Sequence, residues 1–119
     1  MLTATDLEIV LDKGDEAATL RLRGRLSIDS SPRFRDQLQA VLRAQSTTAV
    51  VVDMTEVSLI DASGIATLVE GLKIARNAQK TLCLKGLQGR VLHLFEVAGL
   101  LELFETNGCR NASTASKVS

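Results

Sequence analysis

The sequence predicts an α/β fold: a small mixed β-sheet with amphipathic helices packed against it. Three observations predict it. Residues 18–26 alternate apolar and polar, the mark of a strand with one buried and one wet face. Residues 49–52, Ala-Val-Val-Val, are apolar without alternation, as in strands of parallel sheets. Between and after these runs, apolar residues recur at i, i+4, i+7 and i+8, the spacing of a helix with one buried stripe.

Taken in chain order, Leu7, Ile9 and Leu11 suggest a first strand, and Lys13-Gly14-Asp15 a turn. Ala18, Leu20, Leu22, Gly24 and Leu26 then share one face of a second strand, with Thr19, Arg21, Arg23 and Arg25 on the other. The arginines suit a solvated sheet face better than an anion site, because nothing aromatic accompanies them and the chain carries no net charge. Ser30-Ser31-Pro32 reads as a helix start, since Ser caps open amides and Pro has no N–H to waste in the first turn. Phe34, Leu38, Val41 and Leu42 form that helix's apolar stripe. The valine run at 49–52 predicts a strand buried on both faces. Ile65, Leu68, Val69, Leu72 and Ala75 make a second stripe, and Gly71 within it costs about 1 kcal/mol against Ala, which points to close packing. Thr81 to Leu84 reads as a strand, completing a right-handed βαβ unit whose two strands are parallel neighbours. A third helix is expected from Gly89 to Ala98, then a short segment from Leu100 to Glu105 that reads equally as strand or helix. One domain over residues 1–106 is expected, with a disordered polar tail over 107–119.

Composition narrows the function. Lys and Arg number 14, Asp and Glu 14, so the basic excess of a nucleic-acid binder is missing. Three Phe and no Trp or Tyr leave little to stack on bases. No apolar run approaches the roughly 20 residues that span a bilayer, and no signal-peptide pattern opens the chain. Cys83 and Cys109 form neither a metal motif nor a disulfide framework, so a reduced, cytoplasmic protein is expected.

One short stretch concentrates chemistry. Asp61-Ala62-Ser63-Gly64-Ile65 sits where the valine-rich strand gives way to a helix, the end of a strand at which open α/β sheets gather ligands. Three readings compete. In the first, Ser58 or Asp61 serves only as a helix cap, with Gly64 allowing close packing. Ser63 as an enzyme nucleophile needs a base, and the chain's one histidine, His93, falls on the expected wet face of the third helix. A G-x-S-x-G elbow is absent, and Asp53 and Asp61 lack a third metal ligand nearby. The third reading is a hydroxyl that a partner modifies.

The run from Val50 to Ile65, Val-Val-Val-Asp-Met-Thr-Glu-Val-Ser-Leu-Ile-Asp-Ala-Ser-Gly-Ile, resembles the signature of STAS domains, specifically the anti-sigma factor antagonists. That signature is a valine-rich strand ending in Asp, a short loop, then Asp-Ser-Ser-Gly-Leu opening a helix. Gly24-Arg25-Leu26-Ser27 and Ser30-Ser31-Pro32 match the family's second strand and first helix, so the resemblance spans about residues 7–105. It implies the STAS fold, no enzymatic activity and no cofactor. It also implies phosphorylation of Ser63 by an anti-sigma factor serine kinase of the histidine-kinase-like ATPase fold. The unphosphorylated form then binds that partner and frees a sigma factor, and a PP2C-type phosphatase reverses the mark. By the same resemblance Asp61, Ala62, Gly64, Ser27, Leu59 and Ile65 frame the partner surface. At least one of Leu59, Ile60, Ala62 and Ile65 is expected exposed beside Ser63, ringed by Glu56 and Ser27. Two departures stand out. Family members often carry Gly-Glu-Leu-Asp where this chain has Gly24-Arg25-Leu26-Ser27, and the motif's first Ser is Ala62. Other roles known for STAS domains, a transporter's accessory subunit or a stress-signalling scaffold, stay open.

Overall fold

A computed structural model describes residues 7–105. The antiparallel pair β1 (Leu7–Lys13) and β2 (Ala17–Leu26) leads into α1 (Ser31–Arg43), followed by β3 (Ala49–Ile60), α2 (Ala62–Asn77) and β4 (Thr81–Lys85). Two short helices, α3 (Gly89–Val97) and α4 (Leu100–Glu105), close the described chain. The sheet order is β1-β2-β3-β4, with β2, β3 and β4 mutually parallel, so the sheet is mixed. The crossover expected through α2 joins parallel neighbours, with Val50 opposite Leu82 and Val52 opposite Leu84. The segment left open at 100–105 is helical.

One sheet face carries the core. Ala18, Leu20 and Leu22 on β2, Val50, Val52 and Met54 on β3, and Leu82 and Leu84 on β4 join Phe34, Leu38, Leu68, Leu72, Phe95 and Phe104 in a single buried cluster. The stripe read on α1, Phe34, Leu38, Val41 and Leu42, is fully inside. Gly71 lets α2 approach α1: a Cβ there would lie 2.6 Å from Leu38 Cδ2, far inside contact distance. Close packing, not looseness, explains this glycine.

The opposite face is more open, which corrects the expectation for 49–52. Val51 and Asp53 are half-buried while Val50 and Val52 are fully buried, so β3 alternates despite its unbroken apolar sequence. Valine tolerates both environments, and the sequence cannot register which face the helices leave uncovered. The arginine stripe is on this open face: Arg21 pairs with Asp12 at 3.0 Å, and Arg23 lies 3.9 Å from Glu8 and 3.8 Å from Glu56. The solvated-face reading therefore holds, because neighbouring carboxylates already answer these charges. Cys83, half-buried on the same face, is disulfide-bonded, which corrects the expectation of reduced thiols. Cys109 and the expected tail at 107–119 lie outside the described residues.

Two local expectations also change. β3 does not stop near Asp53 but runs to Ile60, pairing with β2 across register shifts at Arg21/Arg23 and Gly24/Arg25. Ser30 occupies the N-cap position of α1 yet makes no capping bond. Its hydroxyl instead donates to Arg25 O at 2.8 Å and accepts from Ser27 N at 3.0 Å, closing the turn out of β2.

Candidate functional site

Asp61 is the hinge of the site. As the N-cap of α2 it accepts Ser63 N–H at 2.9 Å and Gly64 N–H at 3.1 Å through Oδ1. Its second oxygen accepts Ile28 N–H at 3.0 Å, across 33 positions of sequence. Asp61 N in turn donates to Leu26 O at 3.2 Å. One residue therefore caps the helix and ties the β2–α1 turn to it. The Ser63 hydroxyl foremost, against the opposing effect of burial, and then the backbone N–H groups of Gly64, Ile28 and Ser63 hold the Asp61 carboxyl below the ordinary carboxylate range.

Gly64 sets the distance between α2 and the sheet. A Cβ at this position would fall 2.8 Å from both Ile60 Cγ1 and Leu26 Cγ and 2.9 Å from Leu26 O. Side chains can shift; the backbone oxygen of β2 cannot. Only glycine lets the first turn of α2 rest here.

Ser63 is half-buried, and its hydroxyl donates to Asp61 Oδ1 at 2.6 Å. Ser31 Oγ lies 3.0 Å from Ser63 Oγ. A hydroxyl has one proton, and that of Ser63 is committed to Asp61, so Ser31 donates to Ser63. Thr67 Oγ1 donates to Ser63 O at 2.9 Å, one turn further along α2. Beside the serine runs a groove of about 280 Å³ between α1 and α2, lined among others by Ile28, Ser31, Arg35, Thr67 and Glu70.

This geometry makes a poor hydrolase. The base nearest the Ser63 hydroxyl is a carboxylate whose proton affinity is lowered, the wrong direction for a general base near neutral pH. His93 is exposed on α3, and the bonds of Ser63 Oγ go to Asp61 and Ser31. Among the described residues no group of three His, Cys, Asp or Glu is arranged to hold a metal.

Beside the hydroxyl the groove mixes apolar Ile28, Pro32 and Ala66 with polar Ser31, Arg35, Thr67 and Glu70. Ile28 is 71% exposed and Leu59 45% exposed; Ala62 is exposed, Ile65 and Ser27 half-buried, and Ile60 buried. Glu56 is exposed further along β3. Ile28, Ser31 and the Arg35–Glu70 pair were not singled out as site residues from the sequence. Ser31 read only as part of a helix start, and Ile28 carried no signal, being one apolar residue in a polar turn.

The family description "Mlab, STAS domain" matches residues 9–105, most of the chain. The chain belongs to the STAS domain family. An anti-sigma-B factor antagonist of Listeria monocytogenes is 32% identical over 82 residues, covering 69% of this chain and 71% of the relative. The STAS fold shared with solved structures is plain at lower identity. The crystal structure of an anti-sigma factor antagonist from Mycobacterium paratuberculosis superposes with a TM-score of 0.74 at 18% identity, covering 87% of both chains. The phosphorylated form of the Bacillus cell-fate determinant SpoIIAA gives 0.69 at 15% identity, covering 93% of this chain and 96% of its own. The resemblance read from residues 50–65 is thus confirmed at the level of family and fold. Among the described residues, no helix of this STAS domain is long and apolar enough to cross a membrane.

Proposed function

We propose that this STAS domain is an anti-sigma factor antagonist, a binding module whose state is set by phosphorylation of Ser63. Its partner is an anti-sigma factor that is itself a serine kinase, and a PP2C-type phosphatase restores the free hydroxyl. The observation that carries this reading is the Ser63 hydroxyl, oriented by Asp61 in the first turn of α2, with Ile28 exposed along the same groove and Ala62 exposed next to it in the chain. The curated relative is named an anti-sigma-B factor antagonist, and one fold neighbour is a phosphorylated anti-sigma factor antagonist, SpoIIAA.

The physical basis is the mismatch between a hydroxyl and a phosphate at an interface. A small apolar patch around a neutral hydroxyl suits the centre of a protein contact. Leu59, Ala62 and Ile65 supply such a patch, with Ser27, Asp61 and Gly64 shaping the adjoining turn. A phosphate adds about −1.5 to −2 charges at neutral pH. Docking against it requires desolvating that charge without a matched partner, a cost on the order of several kcal/mol. Release of the kinase after it has acted follows.

The experiment is phosphorylation in vitro by an anti-sigma serine kinase of the histidine-kinase-like fold, with ATP, followed by peptide mapping. Label on Ser63 alone, absent from Ser63→Ala, is the expected result. Label on any other residue, or none while the kinase phosphorylates a known antagonist, removes Ser63 from this role.

A further inference from the structure

We propose that Arg35 is a built-in acceptor for a phosphate on Ser63: phosphorylation turns the Ser63 side chain away from Asp61 into the α1–α2 groove and takes Arg35 from Glu70. This rests on Ser63 being the modified residue. It concerns what holds the modified state, not what recognises the unmodified one.

The present position of Ser63 Oγ depends on its proton. It lies 2.6 Å from Asp61 Oδ1 because the hydroxyl donates there. A phosphate ester oxygen has no proton to give, and the group it carries is anionic, so that attraction becomes repulsion. The side chain has other staggered positions, and the groove is lined by Ser63 but not by Asp61. There the phosphate meets Ser31, whose hydroxyl already donates toward Ser63 from 3.0 Å. Arg35 stands one helical turn beyond Ser31, about 5–6 Å along the same face of α1, a gap an arginine side chain spans. It is the one cation among the residues lining the groove.

Arg35 now has only a weak hold on its partner. Its Nε is 3.5 Å from Glu70 Oε1, with both side chains about half exposed (53% and 48%). Such pairs contribute little in water. A phosphate offers more charge and several acceptor oxygens to the guanidinium fork, which exchanges partners accordingly. Glu70 is then left with an unpaired carboxylate on α2, and the α1–α2 surface next to the docking patch becomes negative. The modified state is thereby stabilised within the molecule as well as unfavourable to the complex.

The test installs phosphoserine at position 63 by genetic encoding, so that no kinase is needed, and follows its second ionisation by ³¹P NMR. Asp61 and Glu70 are the carboxylates of this site and raise that pKa; Arg35 lowers it. The expected result is a pKa about half to one unit higher in Arg35→Gln than with Arg35 present, a threefold to tenfold change in proton affinity. Glu70→Gln, which frees Arg35 and removes a like charge, lowers it further. Thermal melts of the unphosphorylated variants should match the parent protein, separating loss of the contact from loss of the fold. Equal pKa values with and without Arg35 overturn the proposal. Failure of a kinase to label Ser63 bears on the proposed function instead, and this measurement is indifferent to it.

Discussion

Asp61 does three jobs with two oxygens: it caps α2, fixes the Ser63 hydroxyl and anchors Ile28. All three use the charged form as acceptor, which is why its proton affinity is lowered. A carboxyl whose folded pKa is depressed contributes stability above its unfolded value of about 3.9, and that contribution disappears as pH falls through the folded pKa. Asn has nearly the shape of the protonated acid and, like it, offers one acceptor oxygen where the carboxylate offers two. Asp61→Asn should therefore destabilise the protein by about 1 kcal/mol at pH 6–7, the worth of a lost hydrogen bond. The deficit should shrink below about pH 4 and vanish at still lower pH. Thermal melts of both proteins at a series of pH values check this. A deficit independent of pH would mean that shape, not charge, is what Asp61 supplies.

At the scale of elements, the junction of β3 with α2 is set by Gly64. Helix propensity alone says that Gly→Ala inside a helix stabilises by about 1 kcal/mol. Here the added methyl would press on Leu26 O at 2.9 Å as well as on two side chains, so the sign reverses. Gly64→Ala should lose about 1–3 kcal/mol, the range for overpacking, read as a lower denaturant midpoint with unchanged slope. The elements themselves were legible because each has a local periodicity: the stripe of α1 and the alternation of β2 are written in consecutive residues. The Asp-x-Ser-Gly motif was legible for the same reason. Ser31 against Ser63 was not, since that contact joins positions 32 apart and neither residue signals the other. The length of β3 escaped for a related reason. Residues 55–60 lack strict alternation, and only pairing with β2 across two irregularities holds them extended.

At the scale of the molecule, the core lies on one side of the sheet and is contiguous with all four helices of the described residues. Phe34, fully buried under α1, is a large part of it. Phe34→Ala should cost about 3–5 kcal/mol, a substantial share of the 5–15 kcal/mol typical of a domain, and should be visible as a large fall in melting temperature. Ser63, by contrast, is at the rim, where a modification changes the surface without reaching this core. Phosphorylation should therefore leave the melting temperature within a few degrees of the unmodified protein.

Which face the helices cover also decides where a partner docks. Arg21 and Arg23 on the open face are answered by carboxylates, whereas Ile28, Leu59 and Ala62 are exposed. In the function proposed, recognition takes place at that end of the sheet and one hydroxyl is its switch. Calorimetric titration of an anti-sigma serine kinase, without ATP, with the unmodified protein and with the protein carrying phosphoserine at position 63 tests this most directly. Tight binding of the first is expected, with a loss of at least a hundredfold, about 2.7 kcal/mol, for the second. Equal affinity for the two forms would contradict it and leave Ser63 as no more than part of a well-capped helix.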